Sequence, residues 1–544
     1  MKETLTVRPL SISRRIYPVL DLPDAPLGIP DAARGSTVRF QIGLRCSSVA
    51  RAELSATAPD GLDVRIRRIG TVPMPHFNSE TDPDPLDLDG IGAVPGLVPD
   101  PLFDESALLL GPGESAGFWV SVRIPETLAP GLYPIALRVD WKTGTWRPDR
   151  EQKPVLRTVR IRVHDLTLAP RTGFHVTQWF YADAIFDRYG TDYSQPRFWE
   201  LCKAFLTNMA EHGQDSAYVP VFTPPTDGVK RPSQLLGIRP GPRGTYRFDW
   251  SLVRRYVRLA KACGLTHFEW THLFSQWGVR NALRIYKGHG ETEELLWPAE
   301  TEATSDVYRN FLKRFCPAFR SFLEKEGILD VSFFHLSDEP SGPEALQAYR
   351  NARTMMREVA PWMKFMDALS EIEYGRELDM PIPVIKTALD FRAAGIESWC
   401  YYCCGPRGPY LNRLLDTPAA KILMHGFLFY RWPFKGFLHW GYNFWQKTMS
   451  RTMIDPFTVT DGANWPAWAY GDTFLVYPGE NGPIDSIRWE LFADAMQDFR
   501  LLQTLGVSRD DPLLAPIESF RDFPKNPAWR DKARKALFRR ANRK

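Results

Sequence analysis

Short runs in which apolar and polar residues alternate fill most of the chain between residues 36 and 165, and turns rich in Pro, Gly and Asp separate them. Alternation with a period of two is typical of strands. The predicted strands include residues 37–42, 117–124, 131–139 and 155–163. We therefore expect an antiparallel β-sandwich over residues 1–165. The Pro- and Asp-rich stretch 73–101 shows no period and is predicted to be a long loop.

The pattern changes after a linker at residues 165–173, because apolar runs now alternate with segments of helical period. The predicted strands of this part are 174–180, 217–222, 267–273, 331–336, 364–369, 384–389, 397–403 and 436–444. Predicted helices between them include 197–212, 252–263 and 306–324. This alternation indicates a parallel sheet, and the number of strands predicts a (β/α)8 barrel over residues 166–505. A doubly wound open sheet is the alternative, but no Gly-rich phosphate loop follows the first strand.

The C-terminal end is basic. A helix predicted at 485–505 is followed by a segment with several prolines, 506–544, whose basic residues concentrate between Arg530 and Lys544. A basic segment can bind a polyanion, but a solvated helix face more often explains such a charge run. We expect this tail to pack on the barrel or to extend from it.

The composition favours a soluble, multidomain protein. The 544 residues are too many for one ordinary core, and 44% are hydrophobic and 24% charged. A formal net charge of +4 gives no general field that would select nucleic acid or an anionic membrane surface. No stretch approaches 18 consecutive apolar residues, and residues 1–22 lack the apolar run of a signal peptide. We expect a cytoplasmic protein with no membrane partner, and a homo-oligomer stays open.

Seven cysteines in so long a chain do not form a disulfide scaffold. Cys400, Cys403 and Cys404 are close in sequence, but their neighbours are aromatic and no second ligand cluster is nearby, so buried free thiols are expected. The sequence contains no His, Asp and Glu spacing typical of a metal site and no Gly-x-Ser-x-Gly motif. An enzyme of this sequence is therefore expected to use no metal and no cofactor.

Asp338 and Glu339 are the acids whose position is most informative. The buried-strand pattern 331–336 stops just before them, and residues 341–344 begin a helix. In a barrel, the carboxyl ends of the strands form the catalytic face. Burial and repulsion raise the pKa of one carboxyl group in such a pair, and glycosidic cleavage needs a proton donor beside a negative group. From spacing alone, a helix-capping pair in a surface loop fits equally well.

Motifs dispersed through the same region resemble those of a known family. They are residues 335–340 (HLSDEP), 399–406 (WCYYCCGP), 436–445, 471–479 and 486–490 (SIRWE). They are similar to glycoside hydrolase family 123, whose characterised members are β-N-acetylgalactosaminidases. The resemblance covers residues 170–505, and the preceding sandwich suits the two-domain layout of that family.

The resemblance implies a retaining mechanism in which the 2-acetamido group of the substrate attacks the anomeric carbon and forms an oxazolinium intermediate. Asp338 would orient and polarise the acetamido N–H. Glu339 would protonate the leaving oxygen and then activate water. The implied substrate is a glycan with a β-linked N-acetylhexosamine, and N-acetylgalactosamine is the first choice.

Further side chains are predicted to contact the substrate because they lie near the ends of predicted strands. Trp440 is expected to stack on the sugar ring, although core packing fits it equally well, and Asn443 is expected to bind a hydroxyl group. Tyr402 is expected to donate to the acetamido carbonyl or the developing oxazoline. Tyr401 is the competing choice, because period-two alternation turns only one of the two inward.

Trp179 and His272, at the ends of the first and third predicted strands, are also expected to contact the substrate, or else to fill space between layers of the barrel. Asp367 is the strongest spare carboxylate in the predicted barrel. Glu269 and Asp472 are weaker candidates.

Two other functions stay open. A glycoside hydrolase for a sugar without an acetamido group would use Glu339 with a second carboxylate such as Asp367. A barrel that has lost catalysis would only bind carbohydrate. Dependence of hydrolysis on the acetamido group distinguishes the first alternative, and binding without turnover would support the second.

Overall fold

The computed structural model describes residues 3–79, 84, 86–144, 150–225 and 230–542. The predicted loop 73–101 and the predicted tail 506–544 each include residues outside this set, namely 80–83, 85, 543 and 544.

The N-terminal part is built from strands in two sheets. The strands are β1 (Leu5–Leu10), β2 (Asp31–Arg34), β3 (Ser36–Cys46), β4 (Ala50–Thr57), β5 (Asp63–Met74), β6 (Gly96–Phe103), β7 (Ala107–Leu110), β8 (Ser115–Ile124), β9 (Gly131–Thr143), β10 (Arg150–Glu151) and β11 (Val155–Thr167). One sheet has the order β1-β3-β8-β5-β6, and the other has the order β2-β11-β9-β4-β7 with β10 paired to β9. The pairings are antiparallel, apart from the parallel pair of β11 and β2.

The alternating pattern places a core between these two sheets. In β9, Ile135, Leu137 and Val139 are buried and alternate with exposed residues. They share one hydrophobic cluster with Phe40 of β3 and Val120 of β8, which belong to the other sheet. The sheets therefore bury their apolar faces against each other, which confirms the predicted antiparallel β-sandwich.

The prediction of one loop from residue 73 to 101 was wrong at both ends. β5 continues to Met74, and β6 pairs with it from residue 96 onwards. The prolines of this segment misled the prediction. β6 is the edge strand of its sheet, and an edge strand tolerates Pro99 and Pro101 because one of its sides needs no ladder hydrogen bonds.

Strands and helices alternate in the rest of the chain. The strands are β12 (His175–Gln178), β13 (Ser216–Val219), β14 (Gly237–Pro240), β15 (Tyr246–Asp249), β16 (His267–Trp270), β17 (Ser332–Phe334), β18 (Met366–Ala368), β19 (Met380–Ile382), β20 (Cys400–Tyr401), β21 (Gly436–His439), β22 (Val476–Pro478) and β23 (Pro483–Asp485). The helices are α1 (Ala182–Tyr189), α2 (Pro196–Glu211), α3 (Ser251–Ala262), α4 (Asp306–Lys325), α5 (Pro343–Val359), α6 (Ile372–Gly375), α7 (Ala388–Ala393), α8 (Ala419–Ile422), α9 (His425–Arg431), α10 (Ile487–Thr504) and α11 (Pro527–Ala541). Within the described ranges, no helix combines the length and the hydropathy that a membrane span needs.

Parallel ladders organise this part. β21 pairs with β12 and β20, β16 pairs with β13 and β17, and β18 pairs with β19. Single parallel bridges, Phe334 to Phe365 and Val384 to Tyr401, extend from these ladders. The parallel α/β arrangement is confirmed. Closure into one (β/α)8 barrel stays a prediction, because the ladders are separate.

Every strand candidate of this part except one overlaps an observed strand. Residues 384–389 were predicted as a strand, but the strand is β19 and α7 begins at Ala388. Prolines on both sides of Ile382 look like strand breakers in the sequence. Their carbonyl groups still accept hydrogen bonds, from the amides of Trp399 and Tyr401 at 3.1 Å each, so the missing Pro N–H groups do not prevent pairing.

Buried ion pairs connect the sandwich, α10 and α11. Arg67 on β5 lies 2.5 Å from both Asp485 and Glu490. Arg530 on α11 lies 2.5 Å from Asp494. These five side chains are all buried and are called the α10 charge cluster below. The tail helix α11 also packs against β2 and β11, so it contacts the sandwich as well as α10.

Candidate active site

Asp338 and Glu339 lie beyond the end of β17, and a neighbouring segment holds their backbone. The Ser337 hydroxyl donates to the carbonyl of Ser275 at 2.8 Å, and the Trp277 amide donates to the carbonyl of Asp338 at 2.9 Å. Glu339 has a φ of 43°, a left-handed conformation that is strained for a residue with a Cβ. The chain therefore turns sharply at the acid pair, and both acids line one pocket.

The walls of this pocket are aromatic. Trp179, Trp277, Trp440 and Trp468 line it, and the ring centroids of Trp440 and Trp468 are 5.1 Å apart. Trp277 is 54% exposed, whereas Trp179 is buried. Aromatic rings of this kind bind apolar ring faces. The pocket therefore suits a ligand with an apolar face and polar groups directed at the acids.

Tyr401 connects the opposite wall to the acid pair. Its hydroxyl donates to Oε1 of Glu339 at 2.6 Å. Burial and the neighbouring charge of Glu339 raise the pKa of Tyr401 well above its ordinary value, so the phenol stays protonated and remains a donor. Backbone hydrogen bonds to Pro383 and Ile385 fix Tyr401 from the adjacent strand region. The Glu339 carboxylate is thereby held in one orientation.

Asp472 is a further carboxylate at the pocket surface. Its oxygens lie 3.0 Å from the indole nitrogen of Trp440 and 3.2 Å from Nε2 of His439. Burial, followed by the charge of Arg413, lowers the pKa of His439 to about 4, so the ring is neutral. Because Nδ1 of His439 accepts the Gly441 amide at 3.0 Å, Nε2 carries the proton and points to Asp472.

A buried triad lies beneath the acid pair. His335 bonds Glu269 through Nε2 at 2.7 Å and Asp367 through Nδ1 at 3.3 Å. Burial alone would lower the pKa of His335, but the two carboxylates outweigh it and raise that pKa to about 10. Glu269 also accepts the indole N–H of Trp179 at 2.7 Å, and Asp367 accepts the Leu336 amide at 3.0 Å. A charged imidazole thus links a pocket wall to the backbone that carries the acids.

The stabilising effect of His335 is expected to depend on pH. Its pKa in the folded chain lies above the unfolded value of about 6.5. The contribution is therefore fully present below about pH 6.5 and is lost as the pH rises through about 10. We expect His335→Gln to lower the free energy of unfolding more at about pH 6 than at about pH 10, as measured by urea unfolding of both proteins. An equal loss at the two pH values would contradict a charged His335.

The family comparison decides the class of protein. The family model for "Glycoside hydrolase 123, catalytic domain" matches residues 179–505, which is more than half of the chain and includes the acid pair and its pocket. The chain belongs to glycoside hydrolase family 123. The resemblance read from the motifs and the assignment to the glycosidases are both confirmed, and the substrate of this family 123 enzyme is a glycan.

Among solved structures, a family 123 glycoside hydrolase from Clostridium perfringens, described for the hydrolysis of glycolipid glycans, has the same overall fold. The TM-score is 0.72 at 15% identity, with 99% of this chain and 98% of that chain covered. The major subunit of an Escherichia coli aggregative adherence fimbria matches with a TM-score of 0.16 and 14% identity, covering 30% of this chain and 96% of its own. That second likeness carries no argument. No curated protein sequence matches the chain.

Some predicted substrate contacts of the family 123 enzyme line the pocket, and others lie beneath it. Trp179 and Trp440 are in the lining. His272 is buried, with its ring centroid 5.3 Å from that of Trp179 and 4.5 Å from that of His335, and burial lowers its pKa well below the ordinary value. Asp367 is fully buried in the triad. Both side chains therefore lie beneath the pocket, where a supporting position fits them better, and their direct contact with substrate stays a prediction.

Tyr402 and Asn443 also point away from the pocket. The Tyr402 hydroxyl lies 2.6 Å from Nε2 of His425 in the core. The Asn443 side chain bonds the backbone N–H and C=O of Tyr181 at 2.8 and 3.1 Å. Tyr401, at the end of β20, turns to the acids, whereas the next residue, Tyr402, turns into the core, so the geometry favours Tyr401 as the tyrosine that contacts the site. Asn443 holds a loop and does not face the pocket.

Loop residues of the pocket were missed. Gln276, Trp277 and Trp468 line it but lie in segments without a periodic pattern. The only sequence feature that could have indicated these lining residues was Trp277, which lies a few positions after the predicted strand 267–273. The expectation of buried free thiols holds for Cys400, whereas Cys403 and Cys404 are free and half-buried in the pocket wall.

Side chains distant in sequence also form groups with a geometry that could hold a metal ion. Among the described residues these groups are His175, Asp215 and His267; His272, His335 and Asp367; and His212, Asp485 and Glu490. Arg67 already bridges Asp485 and Glu490, and Glu269 and Asp367 occupy both nitrogens of His335. None of these groups lines the pocket described above, and a metal-free active site stays a prediction.

Proposed function

We propose that this family 123 enzyme hydrolyses β-linked N-acetylhexosaminides, N-acetylgalactosaminides first, and that the 2-acetamido group of the substrate replaces an enzyme nucleophile. The observation that carries the proposal is the position of Asp338 and Glu339 side by side in one pocket, with Tyr401 bonded to Glu339. Retaining enzymes with their own nucleophile hold two carboxyl groups about 5–5.5 Å apart on either side of the anomeric carbon. Adjacent residues instead suit adjacent positions of one sugar ring.

Each acid has a distinct role in this mechanism. Asp338 accepts the acetamido N–H and directs the acetamido oxygen at the anomeric carbon. Glu339 donates its proton to the leaving oxygen as the glycosidic bond breaks, and then takes a proton from the water that opens the oxazolinium ring. Two inversions at the anomeric carbon give net retention. Tyr401 positions Glu339, and the tryptophans stack on the sugar.

The fold relative from Clostridium perfringens hydrolyses the glycans of glycolipids. We extend this substrate class to the present chain, with a terminal N-acetylgalactosamine of a glycolipid glycan as the residue released.

The second candidate function is hydrolysis of a glycoside without an acetamido group. It needs a second carboxylate beside Glu339, and Asp472 also faces the pocket. Asp367, the carboxylate first expected in that role, is fully buried and accepts hydrogen bonds from Tyr349, His335 and backbone amides, so it is not placed to attack a sugar. In this alternative Asp472 serves as nucleophile or base beside Glu339. No observation favours a purely carbohydrate-binding protein.

Hydrolysis of matched aryl glycosides tests the proposal. The substrates are the β-N-acetylgalactosaminide, the β-N-acetylglucosaminide, the corresponding plain glycosides, and an N-trifluoroacetyl analogue whose carbonyl oxygen is a weaker nucleophile. We expect turnover of the acetamido sugars only, slower turnover of the fluorinated analogue, and loss of activity in Asp338→Asn. Turnover of plain glycosides that survives Asp338→Asn and is abolished by Asp472→Asn would establish the alternative.

Two neighbouring tyrosines provide a matched pair of variants. Tyr401→Phe removes the hydrogen bond to Glu339. We expect kcat/KM to fall by about tenfold to a hundredfold, which corresponds to the free energy of a hydrogen bond to a charged group. Tyr402→Phe removes a core hydrogen bond to His425 and is expected to lower the melting temperature while kcat/KM changes by no more than about twofold. Equal kinetic effects of the two variants would contradict the assigned role of Tyr401.

We also propose that the parallel strands close into a (β/α)8 barrel over residues 166–505, between a sandwich at 1–165 and a tail at 506–544. The single bridges between ladders support closure, as does the bond from the Asp215 amide to the Val176 carbonyl at 3.3 Å, next to β13 and β12. Slow amide exchange along both β12 and β13 would support closure at this junction, and fast exchange there would contradict it. The cytoplasmic location and the oligomeric state stay predictions.

A further inference from the structure

Cys403 and Cys404 are neighbours in the wall of the catalytic pocket. Their Sγ atoms are 3.7 Å apart, and both side chains are half-buried. The pocket that they line also contains Glu339 and Tyr401. Most other cysteines of the chain are buried, and Cys263 is half-buried at the end of α3. The pair therefore combines contact between two thiols with access from the pocket.

The segment that carries the pair is continuous with the residue that orients the catalytic acid. Cys403 is two positions after Tyr401, whose hydroxyl holds Glu339. Beyond the pair, Asn412 donates to the Cys403 carbonyl at 3.1 Å and Arg407 donates to the Cys404 carbonyl at 2.7 Å. Because the far side is fixed by these side chains, a change in the backbone of the pair is transmitted towards Tyr401.

We propose that Cys403 and Cys404 are an oxidative modification site, at which a peroxide converts the two thiols to a disulfide between adjacent residues and thereby inactivates the enzyme. The reaction balances without a further reactant. One S–S bond forms and the two S–H bonds and the O–O bond break. The two thiols lose two electrons, and hydrogen peroxide accepts these electrons and both protons to give two water molecules.

Disulfide geometry explains why activity is lost and why the change is reversible. The sulfur atoms must approach from 3.7 Å to about 2.05 Å. Adjacent Cα atoms are about 3.8 Å apart, which is shorter than the usual span of about 4.4–6.8 Å across a disulfide, so the backbone must distort. The distortion moves the segment that follows Tyr401. A strained disulfide is also readily reduced by thiols.

The rate of oxidation is expected to rise with pH. Contact with Cys404 and burial raise the pKa of the Cys403 thiol well above its ordinary value. The thiolate is the reactive form, so little of it is present at neutral pH and more forms as the solution becomes alkaline. We therefore expect oxidation of the pair to be slow at neutral pH and faster in alkaline solution.

Intact-mass and peptide mass spectrometry of the full chain test the site without a substrate. After exposure to hydrogen peroxide, we expect the loss of two hydrogen atoms, located in the peptide that contains residues 403 and 404 and reversed by dithiothreitol. Cys404→Ser should abolish this loss. Cys263→Ser, a change at a half-buried cysteine outside the pocket, should retain it. No mass loss, or a mass loss that persists in Cys404→Ser, would overturn the site.

The effect on activity rests on the proposed function and is measured separately, as the ratio of kcat/KM before and after peroxide for each protein. We expect that ratio to change by about tenfold or more in the native chain and in Cys263→Ser, with recovery in dithiothreitol, and by less than about twofold in Cys404→Ser. A disulfide found by mass spectrometry with full activity retained would overturn the inactivation. If no tested glycoside is hydrolysed, the proposed function fails while the mass measurement still decides the modification site.

Discussion

Glu339→Gln is expected to lower kcat by about 10²- to 10⁴-fold on an N-acetylgalactosaminide with a poor leaving group, because the amide cannot protonate the departing oxygen. The loss should shrink for a dinitrophenyl glycoside, whose leaving group departs without a proton. Steady-state kinetics on a series of aryl glycosides of increasing leaving-group pKa measures this difference. A steep dependence on the leaving group in the variant and a shallow one in the native enzyme identify Glu339 as the acid.

A matched control is available close to the site. Glu344→Gln makes the same chemical change at an exposed position in the first turn of α5, outside the pocket. Its kinetics should match those of the native chain on every substrate. If Glu339→Gln lost activity equally on all leaving groups, general acid catalysis by this residue would be refuted and Asp472 would become the next carboxylate to replace.

Arg67→Met is expected to lower the free energy of unfolding by about 3–5 kcal/mol, the range for removing one partner of a buried ion pair. The Arg67 guanidinium is buried and contacts Asp485 and Glu490 at 2.5 Å. Met has a similar length, so packing is largely retained while both carboxylates lose their shared counter-charge. Urea unfolding at neutral pH, followed by tryptophan fluorescence, measures the change.

Arg138→Met provides the comparison at the surface. Arg138 and Asp140 form an ion pair on β9, and both side chains are exposed to solvent. Water and salt screen such pairs, so the unfolding curve should be unchanged. A loss in Arg67→Met no larger than that in Arg138→Met would show that the α10 charge cluster does not contribute to stability.

Periodicity predicted the secondary structure well in segments where the burial of one face sets the pattern of apolar and polar residues. Strands β9 and β11 of the sandwich bury mainly one face each, so their alternation is visible in the sequence. The edge strand β6 and the strand β19 were missed, because proline is tolerated where a backbone N–H is not needed. That condition depends on neighbouring strands and is not visible in the local sequence.

The sequence predicted part of the candidate site. The site residues that it did not predict were missed for physical reasons. The acid pair was found because a buried strand ends just before it. Alternation showed that only one of Tyr401 and Tyr402 faces the pocket, but not which one, since β20 is only two residues long and its neighbours set its orientation. Trp468 was not predicted because it reaches the pocket through a long loop, and no local pattern records that path.

The α10 charge cluster has a consequence for how this enzyme can change by recombination. The family match ends at residue 505 and so includes α10, yet Glu490 and Asp494 of that helix obtain counter-charges from Arg67 of the sandwich and Arg530 of the tail. A gene fragment encoding the matched range alone would leave these acids without those partners. Exchange of the sandwich or the tail between relatives should therefore succeed only when the corresponding arginines are exchanged together with the acids that they neutralise. The three parts are expected to be inherited as one unit.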